Sequence, residues 1–280
     1  MAVEDFVQRR SEKLIGDLEA ARAARDQLDS ATQRERARAV QDAVIHRSEA
    51  SSLRIFAAAV ELEVDALCND DRTSEACDRA KAAQKHVKRK RGDDHAWNVV
   101  RRVHLTAKEL DGQLDDAMRG FYALNLRHRE PRTREQQLER LRVLRHVLSC
   151  AKGMPDDEST RRFVAKATED GGRLAEELAD DFPADVACFL HVAGYTEMRR
   201  LGRGGDADRA VELLERSLAS RPDTLRDRQS RGMGEGERLL ALGERERAIE
   251  LFARTVKGFA GLLPRHHDSG WRMLFERGLA

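Results

Sequence analysis

The sequence predicts an all-α protein in which antiparallel helical hairpins stack as an α-solenoid, preceded by an N-terminal helical bundle. Composition is the first observation, since 36% of the residues are charged, 5% are aromatic and only five are proline. These proportions suit helices far better than a β-sandwich or barrel. The second is the recurrence of apolar residues at helical spacing. The third is a glycine, alanine and large apolar pattern that occurs three times between residues 112 and 252.

Charge and cysteine content limit the classes of function. The 51 Lys and Arg residues nearly balance the 50 Asp and Glu residues, so no overall basic field indicates nucleic-acid binding. The four cysteines form no C-x-x-C pair and are expected to be reduced thiols. The N-terminus lacks the apolar run of a signal peptide, and no apolar stretch approaches ~18 residues. We therefore expect a cytoplasmic protein without a membrane partner.

Residues 1–92 are predicted to form the N-terminal helical region. Two or three long helices fit the segment from Val3 to about Leu67, with a break after Leu28 and a new N-cap near Ser30 or Thr32. The segment 51–67 is the most apolar of this half. We expect its helix to lie in the middle of the bundle.

A basic run ends this region and allows two interpretations. Its cations complement the C-terminal dipole of a predicted helix that stops at Gly92, so the run can be a solvated helix end. Alternatively, it can contact nucleic acid or an acidic partner. No aromatic residue interleaves the lysines for base stacking. Besides Lys81, the candidate nucleic-acid contacts are Lys85, Lys88, Arg89, Lys90 and Arg91.

Residues 93–280 are predicted to form shorter helices with glycine between them. Thr133 and Gln136 make a capping box for a helix that ends at Gly153. A helix over 159–169 and another over 171–182 are expected next, the second ending at the break before Pro183. Acidic residues at 69–71 and 180–185 are interpreted as helix ends and turns.

Three segments share the spacing of glycine, alanine and a large apolar residue. They are Gly112-x4-Ala117-x3-Phe121, Gly205-x4-Ala210-x3-Leu214 and Gly243-x4-Ala248-x3-Phe252. Glycine allows the chain to turn, the small alanine lets the second helix approach the first, and the large residue fills the groove between them. Pro222 is expected to stop the helix of the second segment.

At these residues the chain resembles the tetratricopeptide repeat family, whose helix-turn-helix unit carries these residue types at this spacing. The resemblance covers Gly205–Pro222 and Gly236–Phe252 well and Trp97–Leu124 in part. It implies stacked hairpins with a groove for a peptide or protein. It also implies a C-terminal capping helix, for which the segment around Trp271 is the candidate; exposed, that segment would instead form a dimerisation patch.

The glycines of 232–236 raise the question of a phosphate-binding loop. Their G-x-G-x-G spacing differs from the dinucleotide fingerprint, and no Walker loop is present. We interpret Gly236 as the position that admits the neighbouring helix. Gly232 and Gly234 mark either a mobile start of this helix or another close approach.

No catalytic motif is recognisable in the sequence. The nine histidines form no H-E-x-x-H pair, and no G-x-S-x-G elbow occurs. We therefore expect neither an enzyme nor a metal or cofactor.

The predicted function is that of a non-catalytic module that binds a protein or peptide as an interaction or regulatory scaffold. The alternative is a ligand- or peptide-responsive regulator that contacts nucleic acid through residues 81–91. A homodimer is a further option. Because the resemblance implies that first helices line the groove, the candidate groove residues are Arg101, His104, Lys108, Tyr195, Arg199, Glu235 and Arg238.

Overall fold

The computed structural model describes residues 2–89, 94–151, 157–201, 205–222 and 224–259. In these ranges the chain forms twelve α-helices joined by turns and caps, with no β-strand. The predicted all-α class is confirmed. The described residues divide after Gly112 into two compact units, here called unit 1 and unit 2.

None of the helices in the described ranges has the length and apolar character needed to cross a membrane.

Unit 1 is a bundle built around its third helix. Its helices are α1 (Ala2–Asp26), α2 (Ser30–Val44), α3 (Ala50–Asn69), α4 (Thr73–Arg89) and α5 (Asp94–Leu110). Helix α3 packs against all four others, as predicted for the most apolar segment. Leu53 and Leu67 on α3 are among the largest fully buried side chains. Helix α5 packs on α3 and α4, so it lies in unit 1 although the sequence placed it after a boundary at Gly92.

Local signals set the ends of these helices. After Leu28, which has a φ of 62°, the Asp29 carboxylate accepts a hydrogen bond of 3.0 Å from the Thr32 amide. This is the break predicted near Ser30 or Thr32, with the cap one residue earlier. The acidic residues at 70–71 and 180–181 lie in turns, as expected.

A buried carboxylate joins three helices of unit 1. Glu63 on α3 is 1% exposed and accepts hydrogen bonds from Arg38 (2.6 Å), Gln41 (2.9 Å) and Arg79 (3.0 Å). Burial raises the pKa of Glu63, but these donors outweigh burial and hold the pKa below its ordinary value. The charge therefore stays in place and fixes α2 and α4 on α3.

Unit 2 is a succession of helices in which each packs on the next. Its helices are α6 (Leu114–Arg127), α7 (Arg134–Ala151), α8 (Glu158–Leu178), α9 (Pro183–Arg199), α10 (Ala207–Ser220), α11 (Leu225–Ala241) and α12 (Arg245–Phe259). In addition α7 packs on α9, and α9 packs on α11. Helix α10 ends two residues before Pro222, as expected, and α9 begins at Pro183.

Three glycines let helices of unit 2 approach closely. A Cβ atom built on Gly171 would lie 2.1 Å from a ring carbon of Phe189. A Cβ atom on Gly194 would lie 2.8 Å from Leu214, and one on Gly236 would lie 2.5 Å from the Phe252 ring. In each pair, the large side chain comes from the following helix and occupies the space that a side chain on the glycine would need. The role predicted for Gly236 is confirmed.

Two sequence predictions for unit 2 differ from the structure in detail. The two helices predicted over 159–169 and 171–182 are instead a single helix, α8, which continues through both glycines because the Phe189 ring packs beside Gly171. This helix ends at Leu178, four residues earlier than predicted. At α7, Thr133 Oγ1 accepts from the Gln136 amide at 3.2 Å, as predicted. Gln136 Oε1, however, accepts from the Arg132 amide at 2.8 Å, one residue earlier than a capping box requires.

The predicted C-terminal capping segment around Trp271, with the alternative of a dimerisation patch, lies outside the described residues.

Candidate functional site

The glycine-rich segment 232–236 lies inside α11 and is not a loop. Gly232 and Gly236 face α12, and Gly234 faces His191 of α9, whose Nδ1 would lie 3.2 Å from a Cβ at that position. Phosphate-binding loops present free backbone amides before a helix, whereas these amides are within one. The three glycines therefore serve the close packing of α11 between its neighbours.

An open cleft of about 370 Å³ lies on the α11–α12 hairpin and is the candidate functional site. We call it the α11–α12 cleft; its lining residues are Glu235, Leu239, Arg247, Glu250, Leu251 and Arg254. Leu239 is 4% exposed and Leu251 is half-buried, so the apolar part of the lining belongs to the hairpin core. Two carboxylates and two guanidinium groups complete the lining.

The packing of the hairpin sets the geometry of the cleft. Gly243, with a φ of +79°, allows the tight reversal between the helices, and buried Phe252 holds α12 against α11. Arg247, Leu251 and Arg254 follow one another at spacings of four and three residues. This spacing brings their side chains to one face of α12.

The α11 side of the cleft carries a fixed ion pair. Arg238 donates two hydrogen bonds of 2.8 Å to the two carboxylate oxygens of Glu235, and a third of 3.2 Å to Glu215 on α10. The hydrogen bonds from Arg238 lower the pKa of Glu235, against the opposing effect of burial. They also raise the pKa of Arg238. Both groups are therefore charged at neutral pH, and Glu235 has a defined position.

The α12 side of the cleft leaves charges available to a partner. Arg247 is paired with Glu244. Arg254 and Glu250 are exposed, and within the described ranges neither has an ion pair. An apolar side chain resting on the two leucines would have one available cation and one available anion beside it.

The structure brings together only part of the predicted groove. Glu235 lines the cleft and Arg238 lies at its edge. Tyr195 is half-buried and Arg199 is exposed, both on α9, and neither lines the cleft. Of the four predicted groove residues in unit 2, two therefore lie at the cleft and two do not.

The other three predicted groove residues lie on α5 of unit 1. Arg101 and Lys108 are half-buried. His104 is 6% exposed, and its Nδ1 is 3.0 Å from Gln84 Oε1 of α4, so it is a buried packing residue and not a groove surface. Burial, together with neighbouring positive charges, lowers the pKa of His104 to about 4.

Sequence reasoning missed the contribution of α12 to the cleft. The repeat resemblance directed attention to first helices, whereas Arg247, Glu250, Leu251 and Arg254 lie on the second helix of their hairpin. The spacing of 247, 251 and 254 behind the Gly243 turn was the signal that could have identified them.

The predicted nucleic-acid contacts are described in part. Lys85 and Lys88 are exposed on α4 together with Lys81. The side chain of Arg89, and all of Lys90 and Arg91, lie outside the described part of the chain.

In the described residues, no group of three or more His, Cys, Asp or Glu side chains is arranged to hold a metal ion. The four cysteines are free, as expected.

A comparison with known families and with curated proteins found no family model and no curated protein that matches this chain.

Proposed function

We propose that this protein is a non-catalytic cytoplasmic binding module in which unit 2 is a tetratricopeptide-like stack of hairpins and the α11–α12 cleft holds a peptide segment of another protein. The observation that carries the proposal is the cleft itself, where a leucine floor lies beside the exposed charges of Arg254 and Glu250. Scaffolding or regulation would follow from capture of that segment.

The repeat assignment is supported by the packing of successive hairpins. Gly194 lies under Leu214 in α9–α10, and Gly236 lies under Phe252 in α11–α12. The same contact between a glycine and a large side chain of the following helix thus recurs where the sequence resembles the repeat family. The packing of α7 on α9 and of α9 on α11 is what stacked hairpins require.

The lining chemistry defines the peptide class. An apolar side chain on Leu239 and Leu251 would gain about 1.5–3 kcal/mol if fully buried. A carboxylate next to it would meet the Arg254 guanidinium, which is suited to bidentate contact. We therefore propose a short segment with an apolar anchor flanked by Asp or Glu.

Selection from a random peptide library displayed on phage tests this proposal, with the purified full-length chain as bait. The enriched peptides should share an apolar residue next to an acidic one. Synthetic copies should bind the wild-type protein and lose about tenfold or more in affinity for Arg254→Glu, since charge reversal replaces an attraction by a repulsion.

Arg132→Glu, at an exposed position before α7, is the matched control and should bind like the wild type. Failure to enrich any sequence, or equal binding by Arg254→Glu and wild type, would refute the proposal. Circular dichroism of each variant establishes that the helices are retained.

A further inference from the structure

Two sets of residues that the sequence analysis treated separately meet on the α4–α5 hairpin of unit 1. Helices α4 and α5 pack against each other. His104 of α5 contacts Gln84 of α4. In the sequence, His104 lies between Arg101 and Lys108, and Gln84 lies between Lys81 and Lys85. The lysines of the basic run and the cations of α5 therefore belong to one surface.

The α4 side of this surface is a row of three lysines. Lys81, Lys85 and Lys88 are spaced by four and three residues, so they lie on one face of the helix over about 10 Å. All three are exposed, and none has an ion pair with any described residue. The helix dipole accounts for a cation in the last turn, which contains Lys88. It does not account for Lys81 and Lys85.

The α5 side adds two more cations. Arg101 and Lys108 lie two turns apart on one face of α5, with buried His104 between them. Burial is the largest cause of the low pKa of His104, and the positive charges of Arg101, Lys108 and Lys81 lower it further. Lys81 of α4 and the two cations of α5 therefore act on one imidazole.

Carboxylates lie at both ends of this hairpin, with Asp94 in the first turn of α5 and Asp78 and Asp111 toward the other end. Asp111, which accepts a hydrogen bond of 2.8 Å from Thr73, acts together with Asp78 on the thiol of Cys77. Burial first, and then these two charges, raise the pKa of Cys77 to about 11. The positive charge of Lys108 acts on the same thiol, and Asp78 lies one turn before Lys81, so these two cations have carboxylates near them, whereas Lys85 and Lys88 lie further along α4.

The surroundings of the cations favour one class of polyanion. Trp97, the large aromatic residue of α5, is half-buried against the core of unit 1, and α4 carries no Phe, Tyr or Trp, so the lysine row has no interleaved aromatic side chains for base stacking. The large exposed apolar residues described in unit 1 are Ile15 and Leu110, too few for insertion into a lipid surface. Regularly spaced phosphates fit two rows of cations without requiring either feature.

We propose that Lys81, Lys85, Lys88, Arg101 and Lys108 form a basic face on α4–α5 that binds the phosphate backbone of double-stranded nucleic acid without reading its bases. This proposal is independent of the α11–α12 cleft, which belongs to unit 2. It gives the chain a second binding surface.

Fluorescence anisotropy with a labelled mixed-sequence DNA duplex of about 20 bp tests the proposal, over about 50 to 300 mM KCl. Five phosphate contacts predict that log K falls with log salt with a slope of about −4 to −5. The double variant Lys81→Gln, Lys85→Gln should have a slope of log K against log salt that is shallower by about 2. Its affinity at about 100 mM KCl should be lower by about 10- to 100-fold. A second duplex of unrelated sequence should bind equally.

The control is Lys13→Gln with Lys257→Gln, which removes the same charge from exposed positions of α1 and α12. It should keep the slope of the wild type. No binding at the lowest salt, or equal losses in the two double variants, would overturn the proposal. Binding to phosphatidylserine vesicles but not to the duplex, lost in the Lys81 and Lys85 variant, would assign the surface to a membrane and overturn it as well.

Discussion

At the scale of single residues, the buried Glu63 carboxylate of unit 1 is stabilised by hydrogen bonds from three side chains. Arg38, Gln41 and Arg79 all donate to Glu63, whereas the side chains of Arg38 and Arg79 remain 42% and 44% exposed. The arginines can therefore keep much of their hydration while the carboxylate is buried. This arrangement reduces the desolvation cost that makes many buried ion pairs unfavourable.

The Glu63→Gln variant should be less stable than the wild type at neutral pH by about 1–3 kcal/mol, because a neutral amide replaces a charged acceptor. The pKa of Glu63 in the folded protein is lowered from the ordinary value of 4.5. Its contribution to the free energy of unfolding is therefore complete above pH 4.5 and is lost as the pH falls through the pKa of the folded protein. Urea unfolding of both proteins between about pH 7 and pH 3 measures this difference. A difference that did not narrow in acid would contradict the account.

At the scale of helices, adjacent glycines in α8 have opposite surroundings. A Cβ atom at Gly171 would lie 2.1 Å from the fully buried Phe189 ring. A Cβ atom at Gly172 would have no atom within 4 Å apart from its chain neighbours and the backbone of its own helix. Intrinsic helix propensity is the same for both positions. Any difference between their alanine variants therefore reports the packing of α8 on α9.

Gly171→Ala should lower the free energy of unfolding by about 1–3 kcal/mol through overpacking. Gly172→Ala should raise it by up to about 1 kcal/mol, because alanine restricts the unfolded chain and favours the helix. The midpoints of urea unfolding provide the comparison. Equal effects of the two substitutions would show that Phe189 does not lie over Gly171 as described.

The sequence predicted helices better than it predicted which of them continue. Gly171 and Gly172 indicated a break between two helices, because glycine disfavours helix interiors. Packing against Phe189 overrides that local preference, and only the tertiary structure contains this information. By contrast, the prolines mark helix boundaries: Pro183 is the first residue of α9, and α10 ends two residues before Pro222, because proline acts through local geometry.

At the scale of the whole molecule, each unit carries one candidate binding surface of different chemistry. Unit 1 presents rows of cations on α4 and α5, and unit 2 presents the α11–α12 cleft with an apolar floor. A net charge of only +1 conceals this difference. Local arrangement, not overall composition, therefore defines the partners we propose.

The sequence located these surfaces incompletely, for a physical reason. Glu235 and Arg238 were predicted from the repeat resemblance, whereas Arg254 and Leu251 enter the cleft only through the packing of α12. Similarly, the basic run was visible in the sequence, but its convergence with Arg101 and Lys108 depends on the α4–α5 contact. Side chains on one helix can be grouped from spacing, and those on two helices cannot.

The most direct test of peptide binding in the cleft is an NMR titration of leucine methyl groups with a peptide from the library selection. We predict saturable shifts for the methyl groups of Leu239 and Leu251, and unchanged signals for fully buried Leu148 and Leu190 on α7 and α9. A peptide that binds while the signals of Leu239 and Leu251 remain unchanged would show that the cleft is not its site, and would contradict the account.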